Sequence, residues 1–292
     1  MSITTREIDS QPDIWRAALE LAPRATELLA RPGERVLVIG CGTSAFIAES
    51  FAALREAADL GETDAAYASE PRRWREYDAV IAISRSGTTT EVIDALRAVP
   101  AGVRTIAVTG VADSPVAEIV DDVLLLDFAD EESVVQTRFP TTFVLLARAA
   151  FGEDVSDLPD AAAAALAEPL GVEAASVGHF VYLGSGWTYG LAQEAALKIR
   201  EAAQAWSESY PLLDYRHGPL AVAGDESLVW MIGRGDAGLA DDIRATGATV
   251  RTSSHDPLIE LALTQRMAVA VAESRGLNPD TPRHLTRSIV LG

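Results

Sequence analysis

Short apolar runs rich in Val, Ile and Leu recur along this chain, each followed by a segment of helical composition. In the first half they are RVLVIG (35–40), DAAYAS (64–69), DAVIAIS (78–84), VRTIAVTG (103–110) and DVLLLDF (122–128). A half-exposed strand alternates apolar and polar residues. Continuous apolar runs of about six residues instead need cover on both faces, as a parallel sheet between two helical layers supplies. An amphipathic helix over roughly 12–30 opens the unit and a helix through TTFVLLARAAFG closes it, completing a doubly wound domain.

Residues 153–176 are acidic, alanine-rich and contain two prolines, so they read as a connecting helix with loops. The pattern then restarts with HFVYLGSG (179–186), a long helix over about 188–205, SLVWMIG (227–233), ATVRTSS (248–254) and a helix through LIELALTQRMAVAVAESRG. At an offset of 144, VLVIGCGTS (36–44) meets FVYLGSGWT (180–188), superposing Gly40 on Gly184 and Gly42 on Gly186. Such self-similarity predicts a duplicated αβα unit. The expected division is 1–152, a linker over 153–176, a second unit over 177–278 and a tail over 279–292. The fold class is α/β: two tandem αβα subdomains, each with a doubly wound, mainly parallel sheet of flavodoxin type.

The formal net charge of −19, from 43 acids against 24 bases, repels nucleic acid and anionic lipid, so neither is an expected partner. No window reaches the length of an apolar membrane span, and MSITTREIDSQPDIW shows no secretory leader. Cys41 is the single cysteine, which excludes intrachain disulfides and Cys-x-x-Cys metal sites. The cytoplasm is the expected compartment. His179, His255 and His284 show no paired ligand spacing, so neither a metal nor another cofactor is expected.

Two hydroxyl-bearing turns each follow a strand and open a helix: GCGTS (40–44) and SRSGTTT (84–90). In open α/β sheets ligands collect at the carboxyl ends of strands, where helix N-termini present unpaired amides and partial positive charge. Thr43, Ser44, Ser84, Ser86, Thr88 and Thr89, with Gly42 in the first turn, therefore form a candidate phosphate cradle. Neither turn matches GxxxxGK[ST] or GxGxxG. The second repeat has GRGDAG where the first has its hydroxyl run, so one such cradle is expected per chain.

Candidate acid–base groups lie in the second half. Glu194, Lys198 and Glu201 share one helical face at spacings of four and three, a pattern that by itself predicts a solvated row of ion pairs. His217 precedes Gly-Pro, which ends regular structure and presents the imidazole in a loop. Imidazole suits proton transfer near neutrality, and a carboxylate suits a carbon acid beside a carbonyl.

Together these motifs resemble the sugar isomerase (SIS) family in its tandem-domain form, most closely the isomerase half of glucosamine-6-phosphate synthase and the SIS-type deaminases. The resemblance rests on CGTS, SRSGTTTE, ESVVQTRFPTT, EAALKIREAAQAWSESYPLLDYRHGPLA and the terminal DTPRHLTRSIVLG, in that order along almost the whole chain. It implies that Ser44, Ser84, Arg85, Ser86 and Thr89 bind the sugar phosphate, with Gly42 and Thr43 beside them, and that Val134 and Gln136 line the sugar pocket. Gln136 stands where the synthases usually carry Ser. The resemblance further implies Glu201 as the base moving a proton between carbons 1 and 2, Lys198 as its neighbour, and His217 as the ring-opening group. In the family that histidine commonly comes from a partner subunit, which implies a homodimer with shared active sites.

Two departures shape the expected reaction. No N-terminal cysteine nucleophile stands in this sequence, so ammonia release from glutamine is not expected of it. Arg287 replaces the tail lysine that forms a Schiff base in the synthases, and a guanidinium is a poor amine nucleophile. The resemblance then implies an enzyme converting glucosamine 6-phosphate, or a related amino-sugar phosphate, to fructose 6-phosphate and ammonia. A phosphosugar isomerase, a fructosamine-phosphate deglycase and a non-catalytic sugar-phosphate sensor remain as alternatives.

Overall fold

The computed structural model describes residues 1–70 and 75–291. The chain opens with α1 (Ile3–Asp9), α2 (Gln11–Ala18) and α3 (Ala22–Leu29), not with the single helix expected over 12–30. Pro12 and Pro23 explain the breaks: each sits in the first turn of its helix, where a missing N–H costs nothing, and neither is tolerated in a helix interior. A 3₁₀ turn over Leu19–Leu21 joins the last two.

The first sheet follows: β1 (Val36–Gly40), α4 (Thr43–Ala57), β2 (Thr63–Tyr67), β3 (Ala79–Ile83), α5 (Thr90–Arg97), β4 (Arg104–Thr109), β5 (Asp122–Leu125) and α6 (Arg138–Ala150). Its order is β2-β1-β3-β4-β5, and each strand pair is parallel. Every residue of β1 and β3 is buried, which is why these strands read as unbroken apolar runs. Along β3, Ala79, Ile81 and Ile83 join the core that contains Phe139 and Phe143 of α6, while Val80 and Ala82 join the opposite core with Val92 and Leu96 of α5.

After α7 (Leu158–Ala167) come β6 (His179–Gly184), α8 (Thr188–Ala203), β7 (Trp206–Pro211), β8 (Ser227–Met231), α9 (Ala237–Arg244), β9 (Thr249–Thr252) and α10 (Pro257–Ser274). The second sheet is also parallel, in the order β7-β6-β8-β9, the first four places of the same topology. Strand β7 and helix α9 are not anticipated by the sequence reading, which carries α8 to 205 and then into a loop. WSESYP lacks an apolar run because β7 is an edge strand with exposed ends. Gln204, in the left-handed region at φ 49°, ends α8 and turns the chain into it.

The offset of 144 recurs in backbone geometry. A Cβ on Gly40 would lie 2.6 Å from the backbone of Ser44, and one on Gly184 2.3 Å from the carbonyl of Thr188. Gly42 and Gly186 have φ of 54° and 56°. Each strand can turn into its helix this tightly only with glycine at both places. The duplicated helices α4 and α8 pack on each other, and a Cβ on Gly190 would lie 2.2 Å from the Phe46 carbonyl. One apolar core spans both units, from Val38 and Phe51 through Ala195 and Ile199 to Leu261. Among the described residues no helix is long and apolar enough to cross a membrane.

Candidate active site

In the order β2-β1-β3-β4-β5 the connections leave β1 and β3 in opposite directions, so the crevice between their carboxyl ends is the switch point where ligands bind in such sheets. The two hydroxyl turns border that crevice, GCGTS from β1 and SRSGTTT from β3. Gly42 caps α4 with backbone only, leaving Thr43 and Ser44 buried in its first turn. In the second turn Ser84 extends the β3 ladder, its N–H donating to the Val108 carbonyl at 3.0 Å. Its Oγ is buried without a hydrogen-bond partner among the described residues. Ser86 Oγ accepts from the Thr88 N–H (3.3 Å) and pairs with Thr88 Oγ1 (3.1 Å). Thr89 is the N-cap of α5, yet its side chain makes no capping bond. Unengaged hydroxyls beside a helix N-terminus suit an anion that accepts from both.

The row on α8 is buried, not solvated. Because α8 lies between α4 and α10, Glu194 is 0% and Lys198 1% exposed. Lys198 Nζ donates to Glu201 Oε2 at 2.6 Å and to Thr43 Oγ1 at 3.1 Å, and it lies 3.3 Å from Glu194 Oε1 outside good hydrogen-bond alignment. Glu194 therefore has a desolvated carboxyl, which burial pushes up to about 7 against the opposing pull of Lys198. Burial works against the Lys198 ammonium, but Glu194 and Glu201 together hold its pKa above the ordinary value. The Glu201 side chain keeps 21% of its exposure, so it is the more accessible carboxylate of the trio. Through Thr43, this trio touches the first turn of the switch point.

The segment between β5 and α6 forms another wall. The buried Glu131 carboxylate accepts from the Thr137 N–H (2.5 Å), Thr137 Oγ1 (2.6 Å) and the Arg138 N–H (2.9 Å). Val134 and Gln136 are half-buried between these anchors, and Gln136 Oε1 has no hydrogen-bond partner among the described residues. Glu7 of α1 supports the segment from behind, accepting from the Glu132 N–H at 2.6 Å.

The C-terminal tail lies against the hydroxyl loop of its own chain. Arg287 Nη2 reaches both carboxylate oxygens of Asp130 at 2.6 Å. Thr88 Oγ1 pairs with Ser288 Oγ at 2.9 Å, and the Thr90 N–H donates to the Ile289 carbonyl at 3.2 Å. Arg85 is 2% exposed; its Nη1 donates to the Ser133 carbonyl at 2.7 Å and its Nη2 to the Arg287 carbonyl at 3.0 Å.

The expected residues thus fall into groups. Gly42, Thr43, Ser44, Lys198 and Glu201 meet around the first turn, and Ser84, Arg85, Ser86, Thr89 and Arg287 around the second. His217 stands apart. It is exposed between short 3₁₀ turns at Asp214–Arg216 and Pro219–Val222, and no hydrogen bond or ion pair joins its side chain to Glu201, Lys198 or the hydroxyl loop. Sequence reasoning missed Asp130, Glu131 and Glu7. Glu131 stands one residue ahead of ESVVQTRFPTT, the stretch quoted for the family resemblance, so that stretch stopped just short of its anchor.

Comparison with known proteins bears on the fold that carries these residues. Residues 28–150 match the model of the SIS domain. Glutamine–fructose-6-phosphate aminotransferase (isomerizing) of Aeropyrum pernix is 30% identical over 92% of this chain and 53% of the relative. The protein from Sulfurisphaera tokodaii with the same name is 27% identical over 98% of this chain and 55% of its own length. The chain spans a little over half the length of the curated relatives it matches. Among solved structures, glucosamine-6-phosphate deaminase from Thermotoga maritima superposes with a TM-score of 0.88 at 27% identity, covering 99% of this chain and 100% of that one. Residues 28–150 therefore resemble a SIS domain, and the chain shares the fold of the Thermotoga maritima structure along its length.

Proposed function

We propose that this chain is a phosphosugar aldose–ketose enzyme that deaminates glucosamine 6-phosphate, with its two sheets serving as tandem SIS-type subdomains. The observation that carries the reading is the bonding of Lys198 to both Glu201 and Thr43, which ties an acid–base pair to the first turn of the switch point. Ser44, Ser84, Ser86 and Thr89 would hold the phosphate at the N-termini of α4 and α5. Gly42 gives the turn its close approach, and Val134 and Gln136 line the sugar.

With the sugar in its open form, Glu201 takes the proton from carbon 2 and returns it at carbon 1, while the aldehyde oxygen gains a proton and the amine nitrogen gives one up. Carbon 2 then carries an imine. Water adds there and ammonia leaves, giving fructose 6-phosphate. Lys198 holds the Glu201 carboxylate in place and lies where an ammonium can steady the negative charge that develops on the enediol-type oxygen. His217 opens the ring from a second copy of the chain, consistent with its exposed loop and its separation from Glu201. The pairing of Arg287 with Asp130 supports a route without a tail amine, and the likeness to the Thermotoga maritima deaminase supports the substrate.

Incubation with glucosamine 6-phosphate is expected to release ammonia and fructose 6-phosphate in equal amounts. Absence of ammonia, with interconversion of a phosphorylated ketose and its aldose, would replace the deaminase by an isomerase. Binding without turnover, unaffected by Glu201→Gln, would favour a sensor.

A further inference from the structure

We infer that Arg85 is a positioning residue, a clasp that fixes the C-terminal tail and the 131–137 segment onto the hydroxyl loop, and that it is not itself a phosphate ligand. The inference rests on reading residues 84–90 as a phosphate loop, and it assigns the one charged side chain in that loop to a different task.

The backbone gives the first reason. The paired register of β3 and β4 ends at Ile83, and Arg85 lies in the turn beyond it, where its carbonyl accepts from the Gly110 N–H at 2.9 Å and from Thr109 Oγ1 at 3.3 Å. These bonds anchor the main chain of residue 85 to the end of β4, while its side chain runs to Ser133 in the segment after β5.

Hydrogen bonding gives the second. The guanidinium spends Nη1 on the Ser133 carbonyl and Nη2 on the Arg287 carbonyl, so its fork joins two segments 154 positions apart in sequence. Only 2% of the residue is exposed, which leaves no open face for an incoming phosphate. Glu131, on the same wall, holds the far end of the 131–137 segment. Asp130 fixes the Arg287 side chain while Arg85 fixes its carbonyl, so the tail is gripped at two points of one residue. A planar fork can span two carbonyls, which neither a lysine nor a glutamine reproduces.

Hydrogen exchange of the full chain tests this alongside direct titration with inorganic phosphate. The Leu291 N–H donates to Thr90 Oγ1 at 3.0 Å and the Thr90 N–H to the Ile289 carbonyl, and Arg85→Gln is expected to speed exchange of both amides by about tenfold or more, since a charge-assisted bond to the tail is lost. Phosphate binding should stay within about twofold of the parent. Arg85→Lys keeps the charge and should recover part of the protection, and it decides the matter should the glutamine variant not fold. Phosphate binding that falls about tenfold in either variant overturns the inference, as does tail protection unchanged in both. A parent protein that binds no phosphate sinks the loop reading instead, and the exchange result alone then decides the clasp.

Discussion

Lys198 donates to Glu201 on its own helix and to Thr43 on α4, at 2.6 and 3.1 Å, so one ammonium joins the two halves of the chain at the crevice between β1 and β3. Replacing it with alanine takes from Glu194 and Glu201 the cation they share in a buried space. Lys198→Ala is expected to cost about 3–5 kcal/mol, the usual penalty for removing one partner of a buried pair. Urea denaturation measures it, and a loss below about 1 kcal/mol would contradict the buried geometry.

Glu201→Gln keeps the shape and removes the base. Turnover of glucosamine 6-phosphate should fall by about 10² to 10⁴, with binding of the sugar phosphate retained. Steady-state kinetics together with equilibrium binding separate the two quantities.

Ser84 and Ser86 are expected to act as phosphate donors. The double variant Ser84→Ala, Ser86→Ala should weaken inorganic phosphate and substrate by about 2 kcal/mol or more, the loss of two hydrogen bonds to a charged group. Unchanged affinity would remove the cradle.

Glu194 makes stability depend on pH. Its folded-state pKa is raised from 4.5 to about 7 by burial, so the folded chain holds a proton there that the unfolded chain has released. Its contribution is fully present below about pH 4.5 and is lost as pH rises through about 7. The stability difference between the parent and Glu194→Gln should therefore shift against the parent between pH 5 and pH 7. Denaturation midpoints at the two pH values measure the shift.

His217 is expected to serve the site of a second copy. Mixed subunits carrying His217→Ala and Glu201→Gln should recover activity that neither variant shows alone, because one site of the mixed dimer keeps both groups. No recovery after subunit exchange would place the histidine elsewhere in the reaction.

Much of the architecture was legible because buried parallel strands announce themselves. Five apolar runs marked β1 to β5 within a few residues, and the glycines at 40, 42, 184 and 186 marked both repeated turns. Edge strand β7 was not legible, since a strand paired on one side only can carry polar residues. Periodicity put Glu194, Lys198 and Glu201 on one face but could not say that α4 covers it. Gly190 held that information. A Cβ there would lie 2.3 Å from Ser50 Oγ, so the glycine marks the close crossing that buries the trio. The roles of Arg85 and Asp130 depend on where the tail lies, and that contact spans about 200 residues of sequence.

Asp280 accepts from the Ile3 and Thr4 amides at 2.9 and 2.8 Å, so α1, already capped by Ser2, has two further amides satisfied by the tail. From there the tail runs on to Asp130 and Thr88. A disturbance of α1 can therefore be relayed to the hydroxyl loop along the tail, without passing through either sheet.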